Sequence, residues 1–195
     1  MLRPDLAPID VYLADAMLLE ASEFLERHRW PMLVIAEPDW DKIAQLSRPE
    51  TLIPGQGRPR VHELMDLTSA AASGASLDAL CLEIRPKDPR AGLRISFGRA
   101  SEADVVLLDE TISKMHAALT WDPAREEGIL FDLGSRNGTF VDEVRLGRAP
   151  MELTPGGVVC FGSLVTRYYP PPSFLGWLST GVARAGATPS IPSGR

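Results

Sequence analysis

Three short segments of the sequence carry side chains suited to binding a phosphate group. They are Phe97-Gly98-Arg99, Ser113-Lys114-Met115-His116 and Gly134-Ser135-Arg136-Asn137-Gly138-Thr139-Phe140, each separated from the next by roughly one hairpin of chain. The guanidinium of Arg99 offers a fork of donors that matches two phosphate oxygens, and the Ser113 hydroxyl offers one more donor. Held in turns between strands, these groups would form a fixed set of donors for one anion.

Each segment also has an ordinary structural interpretation when it is taken alone. Arg99 is then a surface residue paired with Glu102 or Asp104, and Ser113 is a turn hydroxyl that bonds its own backbone. Asn137-Gly138 between two apolar runs is a strong signal for a tight hairpin turn, which needs no ligand. Only the combination of the three segments favours a binding site.

The chain around these segments has the periodicity of β-strands. From Leu77 onward, apolar residues such as Leu80, Leu82 and Ile84 alternate with polar ones, as in strands with one buried face. Turn signals rich in Asp, Pro, Asn and Gly separate the runs. The predicted strands lie near 80–84, 93–97, 104–108, 116–121, 129–133, 139–141, 157–161 and 164–169. Many short strands with regular turns predict a β-sandwich over residues 77–170.

In this strand context, the order and spacing of the segments resemble the forkhead-associated (FHA) family, a phosphothreonine-reading module. The resemblance covers residues 78–170 and includes Asp104–Leu108 before the serine loop. It is carried by Gly98-Arg99, Ser113-x-x-His116, Gly134-Ser135-x-Asn137-Gly138-Thr139-Phe140 and Leu153-x-Pro155-Gly156-Gly157. It implies an all-β fold, an FHA-like antiparallel β-sandwich. An N-terminal helical arm and a short C-terminal helical or disordered tail are expected outside the family pattern.

The resemblance also implies a role for each matched residue. Arg99 and Ser113 would hold the phosphate of a phosphothreonine, Lys114 and Arg136 would flank it, and Asn137 would hold the peptide backbone. Together with a further donor from the same loop, the expected phosphopeptide-binding residues are Arg99, Ser113, Lys114, Ser135, Arg136 and Asn137. The expected loop-shaping residues are Gly98, His116 and Gly138, of which the histidine is expected to be a buried imidazole that ties the loop backbone together.

Two positions depart from the usual family pattern. Lys114 stands where the family often has an arginine or an asparagine, and Arg136 stands where it often has a threonine. Arg136 adds positive charge near the expected phosphate, which would favour acidic residues beside the phosphothreonine. In the alternative interpretation, its side chain folds onto Asp132 or Asp142.

The N-terminal part of the chain, residues 1–36, predicts a helix followed by a short apolar run, 31–36, that suits one strand or an extended arm. Apolar residues recur at helical spacing from Ala14 to His28, and Pro31 is expected to stop the helix. This acidic helix is expected to pack on the sandwich and extend its core. The alternatives are a dimer contact, a docking helix for a larger assembly, or an arm that occupies the Arg99 pocket.

Two further segments complete the expected organisation. Residues 37–76 are rich in Pro, Gly, Ala and Ser and predict a linker, with a short helix near 61–72. Residues 171–195 predict a short apolar turn or helix followed by a disordered tail.

Composition and motif content argue against several classes of function. A net formal charge of −6 is unfavourable for binding nucleic acid or an anionic membrane. No run approaches the ~18–20 apolar residues of a membrane span. The first residues lack a signal-peptide core, so a cytoplasmic protein is expected, in which Cys81 and Cys160 are buried free thiols.

The sequence also lacks the common signatures of catalysis and metal binding. It contains no Gly-x-Ser-x-Gly, no Gly-Lys-Ser/Thr and no His-Glu-x-x-His. The histidines at positions 28, 62 and 116 and the two cysteines are too scattered for a metal site. We therefore expect no cofactor, no metal and no enzymatic activity, since residues 1–76 are too short for an independent active-site scaffold.

The sequence thus favours a phosphothreonine-peptide binding module that acts as an adaptor in Ser/Thr kinase signalling. The expected partner is a phosphothreonine-containing protein or peptide, a class that includes a Ser/Thr protein kinase or its substrate. The alternative is a structural or interaction scaffold that uses the FHA fold and its N-terminal arm without phosphate dependence.

Overall fold

Two β-sheets packed face to face form the centre of the structure, and three helices cover one of them. The computed structural model describes residues 6–35, 79–88, 90 and 92–185. The helices are α1 (Ile9–Leu18), α2 (Ala21–Arg27) and α3 (Pro171–Ala185). The strands are β1 (Leu6–Pro8), β2 (Met32–Ile35), β3 (Leu80–Glu83), β4 (Arg94–Gly98), β5 (Val105–Val106), β6 (Ala117–Asp122), β7 (Glu127–Asp132), β8 (Thr139–Val141), β9 (Val144–Arg145), β10 (Met151–Leu153), β11 (Val158–Phe161) and β12 (Leu164–Tyr169).

The larger sheet has seven strands in the order β1-β3-β2-β12-β11-β8-β9, and the smaller sheet has five in the order β10-β7-β6-β4-β5. The larger sheet is antiparallel throughout. In the smaller sheet β5 runs parallel to β4, with Phe97 opposite Val105. The expected antiparallel sandwich is therefore wrong for that one pair. The loop after β4 brings the chain back beside the strand in the same direction.

The sandwich core lies between the two sheets. Residues that alternate along the strands meet there, including Ile95, Leu119 and Leu130, each with no exposed surface. The rings of Phe97 and Phe161 bridge the two sheets, with their centroids 5.0 Å apart. Because this core is continuous up to the strand ends, the loops that follow those strands start from fixed positions.

A second apolar core lies on the outer face of the larger sheet, beneath the helices. Strand β2 shows how the two cores are divided, because Leu33 faces the sandwich while Met32 and Val34 face the helices. The helices contribute mainly aromatic and branched residues to this core, among them Phe24 and Phe174, both fully buried. The protein is therefore mostly β, and its N-terminal helices pack on the sandwich as the sequence predicted, but they form a second core and do not extend the one between the sheets.

The N-terminal segment follows its prediction only in part. The expected single helix is two helices, because the chain turns at Leu19 and Glu20, where Glu20 and Glu23 form a reciprocal capping box that starts α2. The apolar run after the helices, for which a strand or an extended arm was expected, is strand β2, and it lies inside the larger sheet between β3 and β12. Residues 32–35 are thus an interior strand, and α1 and α2 pack on the sheet next to α3.

The C-terminal segment forms a longer helix than the short apolar turn or helix that was expected. Helix α3 begins at Pro171, where a proline is favourable because the first helical N–H has no partner within the helix. Its Trp177 ring stacks on Tyr169, with the centroids 5.1 Å apart. A disordered tail was expected from residue 180, which is wrong for residues 180–185 because helix α3 continues to Ala185. The rest of that tail, the expected linker at 37–76 and its short helix lie outside the described residues.

Both cysteines are free and buried, as the sequence predicted. Burial raises the pKa of the Cys160 thiol to about 11, so this thiol is protonated at neutral pH. Among the residues that the structure describes, no helix is both long enough and apolar enough to cross a bilayer.

Candidate functional site

Three loops meet at one end of the sandwich and carry the residues that the sequence singled out. They are the loop after β4, the loop between β5 and β6, and the loop between β7 and β8. Backbone hydrogen bonds join the first two, since Arg99 N–H donates to the Ser113 carbonyl at 2.9 Å and Ala100 N–H donates to the Lys114 carbonyl at 3.1 Å. The predicted arginine and serine are therefore held side by side by the main chain.

Gly98 makes this close approach possible. A Cβ at this position would lie 2.0 Å from the carbonyl oxygen of Lys114 and 3.1 Å from the Cα of Met115. Both of these atoms are backbone atoms, which cannot rotate away as a flexible side chain would. The prediction that Gly98 shapes the loops thus has a steric cause in the contact between two main chains.

The hydroxyl of Ser113 is positioned by a neighbouring loop. Its Oγ accepts a hydrogen bond from the backbone N–H of Arg136 at 3.0 Å. Because the oxygen is the acceptor in this bond, the hydroxyl hydrogen stays available for donation to a ligand. The alternative interpretation, a turn hydroxyl that bonds its own backbone, is wrong, since its partner lies 23 residues further along the chain.

His116 is fully buried and ties the loops together. Its Nδ1 accepts from Ser113 N–H at 3.0 Å, so its Nε2 carries the proton and donates to the Gly138 carbonyl, 3.1 Å away. Burial lowers the pKa of the imidazole, against the opposing effects of the Gly138 carbonyl and of Asp132. The neutral ring therefore links the serine loop to the asparagine loop, the arrangement expected for a loop-shaping residue.

Asp132 organises the loop between β7 and β8, a role that the sequence analysis missed. One carboxylate oxygen accepts from the backbone N–H groups of Gly134 and Ser135, at 2.8 and 2.9 Å. The other accepts from the hydroxyls of Ser135 and Thr139, at 2.6 and 2.7 Å. Burial opposes ionisation, but these hydrogen bonds outweigh it and lower the pKa of Asp132. The sequence signal that could have indicated this role is an aspartate at a strand end two residues before a glycine, because Asp side chains often accept from the backbone N–H two residues further on.

Ser135 belongs with the loop-shaping residues and not with the predicted ligand-binding residues. Its hydroxyl hydrogen is donated to Asp132, and its Oγ accepts from Gly138 N–H at 3.0 Å. Its backbone N–H is also bonded to Asp132. No donor of this residue is left for a phosphate, because the short loop needs all of them to close on itself.

Asn137 lies in a crossover between the two sheets. Strands β7 and β8, which flank it, belong to different sheets, and Gly138 has a φ of +89° whereas Asn137 does not have a positive φ. The interpretation of Asn137-Gly138 as a two-residue hairpin turn is therefore wrong, since the favoured type I′ turn needs both residues at positive φ. The Asn137 amide donates one hydrogen to the Thr111 carbonyl at 2.6 Å, which leaves its second N–H and its Oδ1 for a ligand.

A second polar cluster holds the partner of Asn137 in place. The buried carboxylate of Asp109 accepts from the backbone N–H and the hydroxyl of Thr111, at 2.8 and 2.6 Å. The Thr111 hydroxyl oxygen in turn accepts from Ser163 N–H at 2.9 Å, in the turn between β11 and β12. No sequence pattern indicates this cluster, because Ser163 is 52 residues away from Thr111 in the chain.

Three cationic residues adjoin Ser113, and all of them are exposed. Arg99 and Arg136 are joined to it by main-chain N–H groups, and Lys114 follows it in the chain. Arg99 Nε donates to the Ile112 carbonyl at 3.3 Å, which leaves the two terminal nitrogens of its guanidinium for a ligand. Within the described residues, none of the three forms an ion pair.

The acids proposed as partners of these arginines have other hydrogen bonds. The carboxylate of Asp104 accepts from the backbone and hydroxyl of Ser96, at 2.8 and 2.6 Å, and from Lys87 N–H. The carboxylate of Asp142 accepts from Val158 N–H at 2.8 Å. No group of three or more metal-binding side chains occurs in the ranges 6–35, 79–88, 90 and 92–185. The loop end of the sandwich is therefore a cluster of unneutralised donors, which suits an anionic ligand.

The model of the FHA domain family matches residues 95–162, which include the three loops and all of the predicted site residues. This part of the chain therefore matches the FHA domain family, and the resemblance drawn from the motifs is confirmed. The matched region begins in β4 and ends just after β11, so the helices and strands β1 to β3 lie outside it.

Relatives and solved structures with similar stretches differ in how much of them the chain covers. The FHA domain-containing protein FhaB of Mycolicibacterium smegmatis is 29% identical over 119 residues, which make up 54% of this chain and 68% of that protein. Protein phosphatase 2C 70 of Arabidopsis thaliana is 29% identical over 85 residues, which are 39% of this chain but only 15% of the phosphatase. Mycobacterium tuberculosis EmbR, solved with a low-affinity phosphopeptide, is 24% identical, with a TM-score of 0.36 over 40% of this chain and 20% of EmbR.

Proposed function

We propose that this protein binds phosphothreonine peptides through the loop end of its FHA domain, as an adaptor in Ser/Thr kinase signalling. The observation that carries the proposal is the hydrogen bonding of the Ser113 hydroxyl. Its Oγ is held by Arg136 N–H, its hydroxyl hydrogen is available, and the unpaired guanidinium of Arg99 is joined to it through the main chain. A phosphate is the ligand that uses an aimed hydroxyl and a guanidinium fork at the same time.

The proposed roles follow from the donors that remain available. The terminal nitrogens of Arg99 and the hydroxyl of Ser113 hold phosphate oxygens, and Lys114 adds a mobile positive charge. Asn137 uses its free N–H and Oδ1 to bond one carbonyl and one N–H of an extended peptide. The loop-shaping residues Gly98, His116, Gly138 and Ser135 keep these groups at fixed separations without touching the peptide.

Replacing Arg99 with alanine tests this proposal. Loss of a charged hydrogen bond costs about 1.5–3 kcal/mol, so the affinity for a phosphothreonine peptide should fall about ten- to a hundredfold. The measurement is fluorescence anisotropy with labelled peptides selected from a degenerate phosphothreonine library, alongside the same peptides without phosphate. Arg125→Ala is the matched control, because Arg125 is an exposed arginine in the turn between β6 and β7, about 20 Å away along the strands.

Two results would contradict the proposal. Equal affinity of Arg99→Ala and wild type would show that the phosphate lies elsewhere. The absence of phosphate-dependent enrichment from the library would favour the alternative function, an interaction scaffold that uses the FHA fold without reading phosphate.

A further inference from the structure

The three unpaired cations around Ser113 carry more positive charge than one phosphate carries negative charge. A phosphothreonine has a charge of about −1.5 to −2 at neutral pH. Arg99 and Lys114 together match that charge, which leaves the guanidinium of Arg136 as a surplus. In this structure the surplus has no acidic partner among the described residues.

The position of Arg136 is fixed by its own main chain. Its N–H is bonded to Ser113 Oγ at 3.0 Å, and the preceding residue is bonded to Asp132 by both its N–H and its hydroxyl. The following residue, Asn137, is anchored to the Thr111 carbonyl. The side chain is exposed while its backbone is held on the Ser113 hydroxyl, so the guanidinium can reach a peptide whose phosphate lies at Ser113.

The two acids that could have neutralised Arg136 internally are bonded to other groups. Asp132 accepts four hydrogen bonds within its own loop, and Asp142 caps the N–H of Val158 at the start of β11. The loop thus leaves the exposed guanidinium without an acidic partner among the described residues. An exposed cation with a fixed origin can select for an anionic group on a ligand, whereas a mobile cation adds only a general attraction.

We infer that Arg136 is a specificity residue that recognises a second anionic side chain next to the phosphothreonine. This inference rests on the proposed function and refines it, because it narrows the ligand class to acidic segments. The second anion is the carboxylate of a glutamate or aspartate, or the phosphate of another modified residue. Both would be drawn to the same guanidinium.

The test compares one phosphothreonine peptide in four forms. The first form has two glutamates before the phosphothreonine, and the second has two glutamates after it. The third has glutamines at all four of these positions. In the fourth, one neighbouring serine carries a second phosphate. The quantity of interest is the ratio of the affinity for each anionic form to the affinity for the glutamine form. We expect a wild-type ratio of about five for at least one anionic form, the upper value for an exposed ion pair. It should fall in high salt as the charges are screened.

Three variants separate this inference from the proposed function. Arg136→Gln keeps the backbone N–H on Ser113 and should bring the ratio close to one. Arg99→Ala should weaken every phosphorylated form while a preference for the anionic forms remains. Arg125→Gln, remote from the site, should change neither quantity.

The outcomes can be assigned without ambiguity. If wild type binds the glutamine form in a phosphate-dependent manner but shows no preference for any anionic form, the inference is wrong and the proposed function stands. The same holds if Arg136→Gln keeps the wild-type ratio. If no form binds in a phosphate-dependent manner, the proposed function itself fails. Unchanged thermal unfolding of Arg136→Gln excludes a folding defect as the cause of a lost ratio.

Discussion

At the residue scale, the site depends on groups that never touch a ligand. Arg99 and Ser113 are the residues that would contact phosphate, but their separation is set by Gly98 and His116. The glycine lets two main chains meet, and the histidine bonds two loops through its two ring nitrogens. Changes at these supporting positions should therefore affect binding as strongly as changes at the contact residues.

Gly98→Ala is predicted to damage both stability and binding. The added Cβ would overlap the Lys114 carbonyl oxygen at 2.0 Å, so the loops must separate. Forcing a methyl group into such a contact costs about 1–3 kcal/mol of unfolding free energy. Urea unfolding and peptide titration measure the two effects. Gly147→Ala is the control, since a Cβ there meets nothing within 4 Å. Equal unfolding curves for the two variants would contradict the steric argument.

His116 should make stability depend on pH. Because burial lowers its pKa in the folded protein, the unfolded chain takes up a proton first as the pH falls below about 6.5. The contribution of the neutral His116 to the free energy of unfolding is therefore complete above about pH 6.5. It is lost progressively as the pH falls towards the lower pKa of the folded state. Urea unfolding between pH 7.5 and 5 measures the slope, which His116→Gln should reduce. An imidazole that titrates in the folded state at or above 6.5 by NMR would overturn this prediction.

The sequence predicted which loop residues lie together better than it predicted the side chains that hold those loops in place. Arg99, Ser113 and Asn137 lie together because their motifs each follow a strand end, which periodicity can show. The support from Asp132 and Asp109 depends on which side-chain oxygens meet which N–H groups across loops. That pairing is a property of the folded geometry, and the same geometry removed Ser135 from the binding residues.

At the element scale, the helices are part of the fold and not an appendage. The sequence predicted that the N-terminal helix packs on the sandwich, but it could not show which face of which sheet the helix covers. The structure places α1, α2 and α3 over one common face of the larger sheet, where Tyr12, Phe24 and Phe174 meet. For this reason, removal of residues 1–36 would delete the interior strand β2 and is unsuitable as a test of a docking arm.

Phe174→Ala is predicted to destabilise the whole domain without changing the site. The ring is fully buried and lies 5.4 Å from Tyr12 and 5.9 Å from Trp177, between centroids. Losing such a ring costs about 3–5 kcal/mol of unfolding free energy. The folded variant should still bind phosphopeptide with wild-type affinity at low temperature. Leu18→Ala, at an 81% exposed position, serves as the control and should unfold like wild type.

A separate unfolding transition of the helices in Phe174→Ala, with the β-sandwich intact, would contradict this view of the helical layer. So would a stability equal to that of Leu18→Ala.

At the scale of the whole molecule, the loops of the candidate binding site and the helical layer lie in different parts of the fold. The binding loops lie at the strand ends, above the sandwich core, while the second core lies on the far face of the larger sheet. The sequence predicted the sandwich because period-two alternation is strong from Leu80 onward. It did not predict that residues 32–35 form an interior strand, because a strand buried on both faces, such as β2, shows no alternation.

That double burial has a consequence for how the chain finds its register. In a strand with one solvent-exposed face, a slip by one residue moves the apolar side chains into water and lowers the stability of the fold. In β2, a slip by one residue would only exchange Leu33 and Val34 between the two apolar cores. Correct alignment must then come from shape and from the bond of Ile84 N–H to the Pro31 carbonyl at the strand entrance. Fidelity of assembly at the centre of this sheet is thus a question of fit, not of hydrophobicity.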